Sequence, residues 1–139
     1  MKRYFTIMLL TGLLISCSSG HKDYKAKSQN PEFIHRSVKQ ITDIIVHDIF
    51  SPPVAARIYT YSSVAGYEAL IPQDKSYLSM AGQLHGLGPV PRPDSTLEYC
   101  FTLASVQATL RVGKALVFSD DKMDAFYHRK KQASFLLSK

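Results

Sequence analysis

The sequence has few of the features that would place it in a specialised class of protein. Its 139 residues include two cysteines and no tryptophan, and two cysteines are too few for a disulfide framework. The chain is 45% hydrophobic and 20% charged, which argues against a disordered or collagen-like protein. It contains no useful stretch of alternating polar and apolar residues, so strands are not predicted. The length suits one modest domain.

The first 17 residues have the three parts of a bacterial export signal. Lys2 and Arg3 begin it, an apolar run occupies 7–15, and Leu-Ile-Ser-Cys closes it at Cys17. The apolar run is shorter than the roughly 20 residues that a membrane-spanning helix needs. Leu-Ile-Ser-Cys resembles the bacterial lipobox, which implies cleavage after residue 16 and lipidation of Cys17. The alternative is a plain secreted or cytosolic protein.

This signal divides the chain into three parts: a signal peptide at 1–16, a flexible tether at 17–30, and a helical portion at 31–139. Cleavage would remove two of the six net positive charges, and the remaining +4 is weak ground for predicting nucleic-acid binding. Lipid on Cys17 would anchor the protein to a membrane of the bacterial cell envelope, facing the periplasm or the exterior. Membrane lipid is therefore the predicted partner.

Beyond residue 30 the apolar spacing predicts an all-α fold, a small bundle of about four helices. The first helix would hold Phe33 to Ile49 on its apolar stripe, and the prolines after Ser51 would end it and begin a second helix. The predicted helices after the first run over about 54–70, over about 96–118, and from Ser119 to an interruption at 133–139. Prolines and glycines exclude a long regular element over 71–95, and so long a loop commonly belongs to function or to contact with another part.

Side-chain size and polarity add detail to the middle helices. Small residues make the second helix thin enough for a neighbour to approach closely; they are Ala55, Ala56, Ser62, Ser63 and Gly66. A polar stripe of Glu98, Thr102, Ser105 and Thr109 is predicted along the third. In the fourth, acidic residues at the start and His128 to Lys131 in later turns follow the order that the helix dipole favours.

Two segments carry a resemblance to a known family. Residues 44–59 read IIVHDIFSPPVAARIY and residues 65–70 read AGYEAL, with a weaker echo in SMAGQL at 79–84. From about Phe33 to Gln132 the chain resembles the N-terminal helical part of bacterial vanadium-dependent haloperoxidase-related proteins. These belong to the type 2 phosphatidic acid phosphatase/haloperoxidase superfamily. The positions that carry the pattern are structural candidates: Pro52, Pro53, Arg57, Tyr59 and Glu68.

The resemblance implies a helical bundle that holds vanadate or phosphate with basic side chains and a histidine. A multiply charged oxyanion needs several charge-assisted donors, which the family supplies as Lys-x6-Arg-Pro, Pro-Ser-Gly-His and Ser-Arg-x5-His. None of the three is present. His85 stands where the first motif requires lysine before Arg92-Pro93, Ser-Gly-His at 19–21 lies in the tether, and no Ser-Arg pair occurs. We therefore expect no cofactor in this chain, and a vanadate or phosphate site only in a full-length parent.

The charged residues of the first two helices have competing interpretations. Asp43 and His47, four apart on one helix face, are candidates for a metal site, but a structural histidine near the two prolines is favoured. Arg57 and Glu68 lie on a helix that otherwise reads as buried, so an ion pair to a neighbouring helix or to an absent half is predicted. An outer role at an oxyanion site is the alternative.

The remaining candidates are assigned structural roles. Tyr59, Tyr61 and Tyr67 are expected in the core and at helix interfaces rather than on a stacking surface. Cys100 is expected to be an inert buried thiol in an apolar helix, and the basic run at 129–131 a solvated face.

Two functions remain open. The first is a lipid-anchored, truncated N-terminal helical fragment of a haloperoxidase/acid phosphatase-like protein, inactive alone, whose partner would be the missing C-terminal catalytic half. The second is a complete small lipoprotein that acts as a binding or structural module on the cell envelope.

Overall fold

The computed structural model describes residues 29–136, with side chains described as far as Arg129. These residues form four helices: α1 (Glu32–His47), α2 (Pro52–Leu70), α3 (Phe101–Ala115) and α4 (Asp120–Leu136). A 3-10 turn, Ile71–Gln73, follows α2, and no strand occurs in this part of the chain. The predicted all-α fold with about four helices is confirmed. The signal peptide at 1–16, Cys17 and the tether as far as residue 28 lie outside the described residues.

Helix α1 owes its position to one apolar face. Ile41, Ile44 and Ile45 are buried, at the three- and four-residue spacing that places side chains on one side of a helix. The opposite face carries two exposed ion pairs, Arg36 with Glu32 and Lys39 with Asp43. Such pairs support a helix by a few tenths of a kcal/mol each, so burial of the isoleucines determines the orientation of α1.

The end of α1 is a Schellman motif with an unusual residue in the left-handed position. The Phe50 N–H donates to the Ile45 carbonyl at 3.2 Å and the Ile49 N–H donates to the Val46 carbonyl at 3.3 Å, the pattern that this motif requires. Ile49 has a φ of +55°, a conformation that glycine adopts freely and a β-branched residue rarely does. The turn therefore carries backbone strain at a residue whose side chain is 88% exposed.

Helix α2 begins at the two prolines, two residues earlier than the periodicity indicates. Ser51 is extended and its carbonyl accepts the N–H groups of Val54 and Ala55. Proline suits these first positions because its missing N–H has no intrahelical partner there. The prediction that the prolines begin the second helix is confirmed, whereas α1 ends at His47, before Ser51 and the prolines that were predicted to stop it.

The core lies where α1, α2, α3 and α4 meet. Its buried apolar side chains are Ile41, Ile44, Ile45, Ile58, Leu110 and Met123. Partly buried neighbours, including Phe50, Tyr59 and Phe126, pack against them. At about 2 kcal/mol for each buried aliphatic side chain, these residues are the main source of stability in the described part of the chain.

Two glycines mark the closest packing, Gly66 where α2 meets α3 and Gly113 where α3 meets α1. A Cβ atom on Gly66 would clash with the Thr109 hydroxyl, and one on Gly113 would lie 2.8 Å from Cδ1 of Ile41. The polar side chains buried where α2 meets α3 are Ser62, Ser105 and Thr109. The predicted close approach is thus confirmed at Ser62 and Gly66, whereas Ala56 and Ser63 are exposed.

Helix α3 begins at Phe101, later than the predicted residue 96. The Asp94 carboxylate accepts the Thr96 N–H and hydroxyl at 2.9 and 2.8 Å, which holds a turn in place of the first helical turn. Glu98 therefore lies outside the helix, and the predicted polar stripe is wrong at that residue. Cys100 is the half-buried residue that precedes α3, so its predicted place inside a helix is also wrong.

Helix α4 begins after Ser119 as predicted, but it continues through 133 to Leu136. The predicted interruption at 133 is wrong, because Ala133 and its neighbours include no proline or glycine. As a result the basic residues lie before the last turn, which contains no basic residue. In the part of the chain that the structure describes, no helix combines the length and the apolar character needed to cross a bilayer.

Candidate functional site

A groove of about 1010 Å³ is lined by α2, by α3 and by the segment that connects them. We call it the α2–α3 groove. Its floor is made of small and apolar side chains, and the loop adds two basic groups. From α2 it is lined by Thr60, Tyr61, Val64, Ala65, Glu68 and Ala69; from α3 by Phe101, Ala104, Ala108 and Val112; and from the intervening segment chiefly by Pro72, Leu84, His85, Leu87, Val90, Arg92 and Tyr99.

Glu68 anchors the loop beside this groove. Its side chain is buried; one carboxylate oxygen accepts the Met80 N–H at 2.6 Å and the other accepts the Ser79 hydroxyl at 2.8 Å. Tyr67 adds a bond from its hydroxyl to the Leu78 carbonyl at 3.0 Å. A buried carboxylate is tolerated only when its oxygens are hydrogen-bonded, and here loop groups meet that need. The predicted ion pair of Glu68 is replaced by a loop anchor.

Asp48, the residue that follows α1, forms a second anchor. Its carboxylate accepts the N–H groups of Phe118 and Ser119 at 2.8 and 3.0 Å and the Ser119 hydroxyl at 2.5 Å. Partial desolvation would raise the pKa of Asp48, but the hydrogen bonds from Ser119 and Phe118, together with the nearby His47, lower it below its ordinary value. The carboxylate thus ties the end of α1 to the turn before α4, where the helix dipole also favours negative charge.

The other structural candidates are spread over the surface of α2. Pro52, Pro53 and Arg57 are exposed. Arg57 therefore does not form the predicted pair with a neighbouring helix of the described residues, and its pairing with an absent half stays a prediction. Tyr59 is partly buried against the core and its hydroxyl donates to the Thr42 hydroxyl at 2.9 Å. That bond links α2 to α1 and agrees with the predicted interface role of Tyr59. Tyr61 is half exposed and lines the groove, so its predicted core position is wrong.

The pair of Asp43 and His47 does not form a metal site. Asp43 accepts both of its short bonds from Lys39, at 2.8 and 2.7 Å, and His47 is exposed in the last turn of α1. Among residues 29–129 no three His, Cys, Asp or Glu side chains come together as metal ligands. The structural role that the sequence favours for His47 consists of its electrostatic interaction with Asp48.

Sequence reasoning missed Asp48, Ser79 and Met80 as functional positions of the fold. In the sequence these residues stand out only as members of the segments 44–59 and 79–84. Their partners are 11 to 71 residues away along the chain, and no local pattern signals such pairings. The one usable signal was Glu68 itself, a carboxylate on an otherwise apolar helix, which must find donors somewhere.

The α2–α3 groove does not suit a vanadate ion. An oxyanion of this kind needs several cationic or N–H donors directed at one point. The groove provides one imidazole, His85, and one guanidinium, Arg92, in otherwise largely apolar walls, and it contains the carboxylate of Glu68. This chemistry favours an apolar ligand surface over a small multiply charged anion.

The fold and the sequence of the described residues resemble one part of a bacterial enzyme of known structure. The chain is similar to a bacterial vanadium-dependent iodoperoxidase of known crystal structure, with 42% sequence identity over 74% of this chain and a TM-score of 0.71. This similarity supports the relation that the residues at 44–59 and 65–70 indicate. No family model matches the chain, and no curated protein does.

The iodoperoxidase is matched over only part of its length. The chain spans about a quarter of the length of the iodoperoxidase, since the alignment covers 25% of that protein. The shared region is therefore a helical part of a much larger molecule. The likeness in sequence as well as fold makes common ancestry the explanation, because unrelated helical bundles do not share identity at this level over one hundred residues.

Proposed function

We propose that this chain is a lipid-anchored, N-terminal helical portion of a vanadium haloperoxidase/acid phosphatase-like protein, and that it is inactive alone. The observation that carries the proposal is the 42% identity to the iodoperoxidase over a quarter of that protein's length. The printed sequence contains none of the three oxyanion-binding motifs. The catalytic groups would therefore come from a second part of the molecule.

The related enzyme suggests which reaction the assembled protein would catalyse. That enzyme is an iodoperoxidase, which favours peroxide-dependent halide oxidation over phosphomonoester hydrolysis. The residues of this chain would act in that molecule by forming one side of the bundle. Glu68 and Asp48 would hold its loop and its helix ends in position.

An assay of the purified full chain tests whether it is inactive alone. We expect no saturable shift of the vanadium-51 resonance when orthovanadate is titrated into the protein. We also expect no turnover of a phosphomonoester, nor of iodide with hydrogen peroxide, above a buffer blank. The physical reason is that the cationic donors and the attacking imidazole of the family are missing. Tight vanadate binding, or robust turnover in either assay, would contradict the proposal.

A separate experiment tests the lipid anchor. In a bacterial host grown with labelled palmitate, the wild-type chain should incorporate label and sediment with membranes. The variant Cys17→Ser should do neither, because its side chain lacks the thiol that accepts the lipid. Cys100→Ser is the matched control and should behave as wild type. Equal labelling of Cys17→Ser and wild type would remove the anchor from the proposal.

A further inference from the structure

We propose that the α2–α3 groove is the docking surface for an amphipathic helix supplied by the rest of a haloperoxidase-like polypeptide. This inference rests on the proposed function and adds to it a location and a kind of partner. It starts from three independent features of the described residues: the groove's apolar exposure, the chain's partial coverage of its relative, and the unpartnered basic groups at the groove.

The first feature is the amount of apolar surface left open to water. Tyr61, Leu84, Val90 and Tyr99 line the groove and are 38–51% exposed. Exposed apolar surface of this kind, gathered in one concave place, marks a binding site rather than ordinary scattered exposure. Burial of that surface by a partner would contribute about 25 cal/mol for each Å² removed from water.

The second feature is the length of the related protein. The alignment leaves 75% of the iodoperoxidase chain uncovered, so that protein has ample further polypeptide to place against the helices it shares with this one. The groove walls are α2 and α3, two helices that follow one another along the chain and run roughly antiparallel. A groove between helices accepts a third helix through the side chains of that helix at i, i+3, i+4 and i+7. Ala65, Ala104 and Ala108 in the walls leave room for large apolar side chains of such a helix.

The third feature is charge. Within the described part of the chain, His85 and Arg92 make no side-chain hydrogen bond or ion pair, whereas Glu68 has both oxygens occupied by Ser79 and Met80. The Arg92 guanidinium therefore lies at the groove without a paired anion, although the Glu68 carboxylate also belongs to the lining. A helix with an acidic residue next to its apolar stripe satisfies both properties of the groove.

Co-expression tests the docking surface with the full chain. The probe is the part of the bacterial iodoperoxidase that this chain does not cover, produced with an affinity tag in the same cells. With the wild-type chain, we expect the tagged part to be soluble and to co-purify with this chain. Ala65→Asp places a charge in the groove wall and should lower the co-purified amount at least tenfold, whereas the matched variant Ala56→Asp, exposed on the same helix, should change it by less than about twofold.

A second pair of variants guards against a folding defect in Ala65→Asp. Arg92→Glu in the loop reverses the charge at the groove, and Arg111→Glu is its exposed control on α3. Arg92→Glu should lower co-purification several-fold and Arg111→Glu should not. Circular dichroism of each purified chain checks that helix content is retained.

The possible outcomes separate the groove from the proposed function. Co-purification that Ala65→Asp and Arg92→Glu leave intact overturns the groove as the docking surface and leaves the proposed function standing. Failure of the wild-type chain to retain the tagged part contradicts both. If sedimentation shows that the wild-type chain alone is a dimer and Ala65→Asp a monomer, the groove's occupant is a second copy, and the inference is overturned.

Discussion

Asp48 shows how one side chain can connect parts of the chain that no local pattern relates. It receives three hydrogen bonds from residues 70 and 71 positions away. Bonds to a charged acceptor contribute about 1.5–3 kcal/mol where they replace water well, and less where solvent competes. Because the carboxylate is only partly buried, a total of about 1–2 kcal/mol is the reasonable expectation for the anchor.

The lowered pKa of Asp48 makes this anchor depend on pH. A carboxyl group with a lower pKa in the folded state stabilises the fold above its unfolded pKa of about 3.9, and that contribution is lost as pH falls through the folded pKa. We expect Asp48→Asn to lower the free energy of unfolding by about 1–2 kcal/mol at neutral pH. The difference from wild type should shrink as the pH falls below the unfolded pKa of about 3.9, measured by urea unfolding at a series of pH values.

Asp43→Asn is the matched control for Asp48. It lies on the same helix, and its pair with Lys39 is exposed, so a change below about 0.5 kcal/mol is expected. A pH-independent effect of Asp48→Asn would show that Asp48 acts through its shape and not through its charge.

Ile49 has a backbone conformation that its own side chain does not explain. Nothing in its side chain favours the left-handed conformation that it adopts. The conformation is imposed by its neighbours, since Asp48 is held by the turn before α4 and Phe50 packs against the core and against the ring of Phe118. The apolar spacing extends the predicted helix to Ile49, two residues beyond its end at His47, and it contains no signal for the left-handed backbone of Ile49.

At the scale of elements, the contact between α2 and α3 carries the most specific packing. Gly66 lies where any larger side chain meets the Thr109 hydroxyl and, at 3.3 Å, the Ser105 hydroxyl. Because Thr109 and Ser105 are themselves buried, the clash with a larger side chain would be relieved by a separation of the two helices. The groove beside this contact would change shape with the same movement.

Gly66→Ala should therefore destabilise the fold despite alanine's better helix propensity. Overpacking costs about 1–3 kcal/mol and the propensity gain offsets up to about 1 kcal/mol of it, so a net loss of about 1–2 kcal/mol is expected in thermal or urea unfolding. Gly88→Ala is the control, because a Cβ there meets nothing within 4 Å. Gly66→Ala as stable as wild type would mean that the helices are not held this closely in solution.

The elements also show where periodicity misplaces helix ends. α2 begins and ends close to its predicted limits because proline restricts the backbone directly. The start of α3 is late because the Asp94 side chain competes for the Thr96 N–H, and the end of α4 lies beyond the predicted limit. Capping by side chains depends on local geometry that the apolar pattern does not contain.

At the scale of the whole molecule, the described residues form a small core beside a large open groove. Six apolar side chains are buried in the core, while a groove of about 1010 Å³ remains lined by apolar groups. A helical unit of this kind, matched to a quarter of a larger protein, is consistent with a part that completes its packing in a larger assembly. The vanadate assay and the co-expression experiment test that interpretation at this scale.

The amino-acid sequence by itself determined the helical class, the four helices and the relation to the haloperoxidases. Apolar spacing and proline act over a few residues, so they can be read along the chain. Only the tertiary structure decided that Glu68 anchors a loop, that Arg57 faces solvent, that Asp48 joins two helix ends, and that a groove opens between α2 and α3. Those features depend on which distant residues meet, and a hydrogen-bond donor many residues away is chosen by packing in three dimensions.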